Sequence, residues 1–163
     1  MPNYKTHLLA GLTCFFLVTR ITGAYLPALT LPLSLLPLGF FLCLIGSIFP
    51  DIDVPSKMQK WFYFACIGAI AVAIWRRHHL LMAGIGTGVI FVTFLTHRTI
   101  THKPAFLALI ALVPTLYATY TFPSHGGSAF ALYTYFIVGC LSHILLDRLL
   151  TFFNKLLGRE RKF

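Results

Sequence analysis

Two histidines and two cations lie close together between two apolar runs of the chain. His97 and Arg98 follow the first run, and His102 and Lys103 come just before Pro104, where the second run begins. The histidines are five residues apart, so both reach one site only if the backbone turns between them. Pro104 favours such a turn because it disfavours helix at the preceding residue. The segment predicts half of a metal site at a membrane surface; the alternative is two interfacial histidines that contact headgroups.

A second polar segment ends an earlier apolar run with two carboxylates. Asp51 and Asp53 are two residues apart and lie between prolines that favour an irregular backbone. Two carboxylates at this spacing can hold one cation, and Asp53 is also a candidate catalytic proton carrier. The alternative is a hydrated loop in which the carboxylates face Lys57 or Lys60.

A third set of polar residues lies near the ends of the first and last apolar runs. His143 and Asp147 are four residues apart, so a helix places them on one face, about 5–6 Å apart at Cβ. They suit two metal ligands, or one ligand with its orienting carboxylate. A hydrogen bond between His143 and Asp147 that is purely structural is the alternative. His7 begins the first apolar run and is a further candidate ligand.

The composition indicates that these residues belong to a membrane protein. The 163 residues are 58% hydrophobic and only 10% charged, with a mean hydropathy of +0.81, whereas a soluble domain is about 25% charged. The apolar runs predict an all-α membrane protein, a polytopic bundle of about six transmembrane helices, some of them short or re-entrant. The predicted helices are His7–Tyr25, Leu33–Pro50, Trp61–Trp75, Leu80–Thr96, Pro104–Phe122 and Ser128–Leu150. The whole chain, 1–163, is predicted to form one membrane-embedded domain that ends in a basic cytoplasmic tail, 151–163.

The distribution of cations predicts the orientation. Six spans place both termini on one side, together with ten of the thirteen Lys and Arg residues. The positive-inside rule makes that side cytoplasmic. Seven candidate ligands also fall on this side. Because the topology rests on hydropathy alone, their convergence independently supports one shared site. The seven candidates are His7, Asp51, Asp53, His97, His102, His143 and Asp147.

The net charge of +9 indicates contact with membrane lipids and their anionic headgroups. No nucleic-acid-binding motif accompanies it, so nucleic acid is not an expected partner. The four cysteines lie inside apolar runs and form no CxxC pair, so they are predicted to be free thiols.

The polar segments resemble those of a known family, the YdjM-like inner-membrane proteins, which are described as LexA-regulated and as metal-dependent hydrolases. The resemblance is carried by Thr6-His7 with Gly11, Pro50-Asp51-Ile52-Asp53 with Pro55, His97-Arg98 with Thr101-His102, and Gly139 with Ser142-His143 and Asp147. It implies a multi-pass protein of the bacterial inner (cytoplasmic) membrane whose His and Asp residues form a divalent-metal site.

These observations predict a membrane-embedded hydrolase that uses metal-activated water. Mixed imidazole and carboxylate ligands suit one or two ions of zinc or manganese. Arg98 would hold a phosphate or another oxyanion, and Lys103 and Arg148 would attract anionic headgroups. The expected substrate is an amphipathic phosphoester or lipid-like molecule, because the site lies at headgroup depth. A metal or proton transporter, or a non-catalytic membrane protein with a structural metal, are the alternatives.

Overall fold

The computed structural model describes residues 4–53, 57–77 and 102–158, together with positions 79, 82, 84, 86 and 89. Five helices can be bounded within these residues: α1 (Tyr4–Tyr25), α2 (Leu36–Gly46), α3 (Lys57–Trp75), α4 (Pro104–Thr121) and α5 (Gly126–Leu156). Short 3-10 turns lie at Pro27–Leu29, Leu33–Leu35, Phe49–Asp53 and Pro123–His125. No β-strand occurs in this described part of the chain, so the prediction of an all-helical protein is confirmed.

The chain divides into two compact units. The first consists of Met1–Pro50 and Pro104–Phe163 and contains α1, α2, α4 and α5; the second is Asp51–Lys103 and contains α3. In the second unit, positions 79, 82, 84, 86 and 89 are helical, whereas most of the predicted span Leu80–Thr96 lies outside the described residues. The prediction of a single domain therefore stays a prediction.

Three of the described helices are long and apolar enough to cross a membrane: α1, α4, and α5 with the turn before it. Two shorter apolar stretches, Leu33–Gly46 and Phe62–Trp75, accompany them. A bilayer core of about 30 Å needs about 20 helical residues, and the eleven residues of α2 are too few to cross it as a straight helix. The predicted number of six spans is accordingly not confirmed, although three described helices are long and apolar enough to cross a membrane.

Two predicted helices differ from the observed ones at their carboxyl ends. The predicted second span continues to Pro50, but α2 ends at Gly46. Pro50 has no N–H to bond the carbonyl of Gly46, four residues earlier, and its ring would clash with that carbonyl. The last predicted span ends at Leu150, whereas α5 continues through Leu156 into the predicted tail.

The first unit is built around α5, which packs against α1, α2 and α4. Its main core joins Phe15 of α1, Cys43 of α2 and Tyr135 of α5. The Tyr135 side chain is fully buried, and its hydroxyl lies 3.1 Å from Thr19 Oγ1. Large apolar side chains are exposed on the outer faces of the helices, as a lipid-facing surface requires.

Helices α1 and α5 approach α2 closely at one glycine each. A Cβ on Gly11 would lie 2.7 Å from the Ser47 side chain, and a Cβ on Gly139 would meet the Cys43 carbonyl and lie 3.0 Å from Ser47 N. The Cys43 thiol also donates a hydrogen bond to the Gly11 carbonyl over 3.3 Å. Small residues permit this close packing where helices meet in a membrane. We call this contact the glycine crossing.

Candidate metal centre

Two imidazoles and one carboxylate meet where the beginning of α1 lies against α5. His7 is in the first turn of α1 and is 2% exposed; His143, on α5, is fully buried. His7 Nε2 lies 3.6 Å from Asp147 Oδ1, and His143 Nε2 lies 3.5 Å from Asp147 Oδ2. The imidazole rings are stacked, with centroids 3.8 Å apart and planes 15° from parallel. We call His7, His143 and Asp147 the imidazole–carboxylate cluster.

The glycine crossing explains why these side chains meet. Gly11 follows His7 by four residues, and Gly139 precedes His143 by four residues, so each glycine lies about one helical turn from its histidine. Because both backbones approach α2 at that level, the histidines of α1 and α5 come within stacking distance. Asp147 then follows His143 by one further turn and reaches both rings.

The carbonyl of Ser47 determines which nitrogen of His143 carries a proton. His143 Nδ1 lies 2.8 Å from Ser47 O, and a carbonyl oxygen can only accept, so Nδ1–H donates. In a neutral imidazole, Nε2 then carries a lone pair. That lone pair faces Asp147 Oδ2 across 3.5 Å. Two acceptors at this separation favour a cation between them, either a proton or a metal ion.

The separations in the cluster fit the ligand shell of a small divalent ion. Metal–ligand bonds of about 2.0–2.1 Å in a tetrahedron place the ligand atoms about 3.3 Å apart. The nitrogen–oxygen separations of 3.5 and 3.6 Å, which end on different oxygens of the Asp147 carboxylate, are close to this value. One ligand atom from each of the three residues can be chosen so that all lie within 4.8 Å of one another. The donor types and separations therefore suit zinc or manganese, and the Ser47 carbonyl gives His143 the outer hydrogen bond that orients metal ligands. Since an imidazole binds a metal in its ring plane and the stacked planes are only 15° from parallel, the His7 ring would have to turn for both nitrogens to bind one ion.

The alternative cation is a proton on one histidine. A protonated His143 would form an ion pair with Asp147, whose side chain is 27% exposed. Protonation of both rings would place two positive charges in a stack only 3.8 Å apart, where they repel. The geometry thus accommodates one imidazolium, whereas a divalent ion would neutralise the carboxylate and use both nitrogens.

The second unit contains another predicted pair of ligands. His102 Nε2 lies 3.6 Å from Asp51 Oδ1, and these side chains are 22% and 37% exposed. Asp51 is in the 3-10 turn Phe49–Asp53, and His102 comes two residues before α4. An imidazole beside a carboxylate oxygen is a donor pair for the same metals.

The remaining predicted site residues fall into two groups, those outside the described residues and those that the structure describes. His97 and Arg98 lie outside the described residues, as does the side chain of Asp53. Lys103 and Arg148 are described, and both are exposed. Exposure suits their predicted role, since lysine and arginine that attract headgroups must reach the lipid surface.

Ser47 is a site residue that sequence reasoning missed. It acts through its backbone carbonyl, which no side-chain motif reveals. The nearest indication in the sequence is the run of small residues Gly46-Ser47 between apolar residues, together with Gly11 and Gly139. Small residues in apolar helices are typical of close helix contacts, and a carbonyl at such a contact can bond a neighbouring helix.

Comparison with known proteins gives one match. A family model described as YdjM inner membrane protein matches residues 1–155, nearly the whole chain. No curated protein and no solved structure matches the chain. The matched region includes the glycine crossing and every residue of the imidazole–carboxylate cluster.

Proposed function

Because the chain belongs to the YdjM inner membrane protein family, we propose that it is a multi-pass hydrolase of the inner membrane that uses a divalent metal. The observation that carries the proposal is the convergence of two imidazole nitrogens on one carboxylate at the end of an apolar helix. Ionisable groups in membrane helices are costly and usually serve a function. We propose that both termini are cytoplasmic, as the cation distribution predicts.

In this proposal His7, His143 and Asp147 hold one zinc or manganese ion. A bound ion supplies Lewis-acid activation of water, which lowers the pKa of that water toward about 7. Three protein ligands leave a fourth position for water, as catalytic sites require. The exposed part of Asp147 is the side of the cluster open to solvent. The hydrogen bond from His143 to Ser47 holds the proton on Nδ1, so Nε2 carries the lone pair that would bind the metal.

Other residues would bind the substrate and move protons. Arg98 would hold an oxyanion through paired N–H donors, and Asp53 would carry a proton during the reaction. Lys103 and Arg148 would attract anionic headgroups at the membrane surface. Asp51, His97 and His102 would hold a second ion.

An apolar cavity supports an amphipathic substrate. The cavity has a volume of about 360 Å³ and lies between α2, α4 and α5. Its α5 residues include Ala129, Tyr133 and Phe136, which share one helical stripe with His143 and Asp147. Phe136 precedes His143 by seven residues, about 10 Å along the axis.

Buried apolar packing separates the cavity from the cluster. Leu107 and Cys140, both 1% exposed, lie on the stretch of α4 and α5 between them. A substrate with its hydrocarbon chain in the cavity and its phosphoester at the cluster would therefore have to pass around or displace these packed side chains. Ligand sites typically have volumes of about 300–1,000 Å³, so the cavity is large enough for part of a lipid chain.

A structural metal is the second candidate, because a metal held by His7, His143 and Asp147 would join α1 to α5. A transporter is less well supported by the geometry. Transport sites tend to lie near the bilayer midplane, whereas His7 is the fourth residue of a 22-residue helix.

Elemental analysis of the full chain purified in detergent tests the metal site. We expect bound zinc or manganese in the wild type and at least a tenfold loss in His143→Ala, which removes a donor, and in Asp147→Asn, which replaces a charged carboxylate by a neutral amide. His125→Ala is the matched control, because His125 is exposed and lies outside the cluster. Full metal retention in both cluster variants would reject the proposal.

An activity screen on phosphate esters and lipid phosphates distinguishes the enzyme from the structural alternative. We expect hydrolysis that is lost on chelation and in Asp147→Asn but kept in His125→Ala. Metal-dependent stability without hydrolysis of any of these esters would instead favour a structural metal.

A further inference from the structure

A large cavity lies at the opposite end of α1 from the imidazole–carboxylate cluster. Its volume is about 750 Å³. It is lined by the last two turns of α1, by the segment that leads into α2, and by Tyr135 of α5. Arg20 is its charged residue. Arg20 follows His7 by thirteen residues, so the two lie about 20 Å apart along the helix axis.

Arg20 carries a positive charge far from Asp147, the acid of its unit whose side chain the structure describes. Asp147 is the carboxylate whose side chain the structure describes in this unit, and it contacts His7 at the other end of α1. A charge within a membrane helix needs a partner or a path to headgroups. Since Asp147, the described carboxylate of this unit, is about 20 Å away along the helix axis, an anion from outside the protein is the counter-ion that the described residues favour for Arg20.

The hydroxyl groups around the cavity are arranged as acceptors. Thr19 Oγ1 donates to the Phe15 carbonyl over 2.8 Å, so the Tyr135 hydroxyl must be the donor in their 3.1 Å contact. Thr30 Oγ1 donates to the Thr22 carbonyl over 3.0 Å. Each hydroxyl uses its proton inside the protein and keeps oxygen lone pairs for another donor. A ligand that complements this lining therefore carries both a negative charge and hydroxyl groups.

The outer surface beside Arg20 is apolar. Phe16 and Leu17, one turn before Arg20, are 60% and 57% exposed, and the adjacent Ile21 is also exposed. A small free anion would make no use of this surface, whereas acyl chains would cover it. One molecule could complement all three parts of this surface if it carried a negative charge, hydroxyl donors and acyl chains.

We propose that this cavity binds an anionic phospholipid with a hydroxyl-bearing headgroup, of the phosphoglycerol type. Its phosphate lies on the Arg20 guanidinium, which can donate two parallel N–H bonds. Its headgroup hydroxyls donate to Thr19 and Thr30, and its chains lie along Phe16 and Leu17. The proposal does not depend on the metal site, which lies at the other end of α1, so each can fail without the other.

Native mass spectrometry of the full chain in detergent tests the proposal, with phosphatidylglycerol added and phosphatidylcholine of identical chains as the comparison. We expect preferential binding of phosphatidylglycerol and at least about tenfold weaker binding in Arg20→Gln, because hydrogen bonds to a charged group are lost. Lys155→Gln removes the same charge from an exposed position outside the cavity and should bind like the wild type.

A second variant tests the cavity without changing charge. Gly23 lines the cavity, and a Cβ on it would have nothing within 4 Å. Gly23→Leu should fill the space and abolish the preference for phosphatidylglycerol, whereas Gly68→Leu, also in open surroundings in α3, should not. The proposal is overturned if Arg20→Gln binds like the wild type, if Lys155→Gln loses binding equally, or if inorganic phosphate alone reproduces the Arg20-dependent effect.

Discussion

Gly139→Ala is the substitution that most directly tests how the glycine crossing controls the metal site. The added methyl group would meet the Cys43 carbonyl and lie 3.0 Å from Ser47 N. Both are backbone atoms, one in α2 and one in the residue that follows it, so no side chain can rotate away and the helices must separate. Since His143 lies one turn further along α5, this separation would also lengthen the bond from His143 Nδ1 to Ser47 O, now 2.8 Å.

Two opposing terms determine the size of the effect. Alanine is favoured over glycine within a helix by up to about 1 kcal/mol, but overpacking a close contact costs about 1–3 kcal/mol. Gly127→Ala, in the same helix, gains the first term without the second, because a Cβ there would have nothing within 4 Å. The two variants should therefore differ by about 1–3 kcal/mol, and for a chain of this size each kcal/mol shifts Tm by about 2–4 °C.

The metal affinity should change in the same direction. Loss of an outer hydrogen bond to a metal-ligating histidine costs about 10–100-fold in affinity. Calorimetric titration of the metal-free protein with zinc should show this loss in Gly139→Ala and wild-type affinity in Gly127→Ala. If both variants match the wild type in Tm and in zinc affinity, the crossing does not position His143, and the reasoning is refuted.

Three further predictions concern the second unit, the core and the topology. Asp51→Asn combined with His102→Ala should lower the metal content, because it removes a donor pair only 3.6 Å apart; an unchanged content would exclude the pair from the ligand set. Cys43→Leu should lower the free energy of unfolding by about 1–3 kcal/mol because Cys43 is fully buried, whereas Cys43→Ser keeps the donor to the Gly11 carbonyl and should cost less. A carboxyl-terminal fluorescent reporter that matures only in the cytoplasm should fluoresce; a dark, full-length fusion would contradict the predicted orientation.

Much of the fold could be predicted because a membrane-spanning helix needs a long run of apolar residues, which is visible in the sequence. The helices that contain His7, Pro104 and His143 were predicted within a few residues of their observed starts. The predicted helix α2 is too long, because a hydropathy average does not register that Pro50 cannot donate a hydrogen bond to the carbonyl of Gly46 and that its ring would clash with it. The predicted span Leu80–Thr96 stays a prediction.

The site was predictable to the extent that it depends on spacing within one helix. The pairing of His143 with Asp147 follows from their separation of four residues, and the structure places them 3.5 Å apart. The sequence placed His7 on the same side of the membrane as His143 and Asp147, but it did not predict that their side chains are in contact. The stacking of His7 on His143 depends on how closely α1 and α5 approach, which the sequence indicates only through scattered small residues.

The early end of α2 and the state of His143 have a common cause. If α2 continued through Pro50, the N–H of Asp51 would be the helical partner of the Ser47 carbonyl, four residues earlier. Because the helix ends at Gly46, Ser47 belongs to the last carbonyls, which need partners outside the helix, and His143 Nδ1 provides one. Pro50 therefore does more than terminate a helix: by ending α2 it leaves a carbonyl that holds the proton on Nδ1 and directs the Nε2 lone pair toward Asp147. Replacing Pro50 with alanine should let α2 extend, and the metal affinity should then fall even though every ligand is still present.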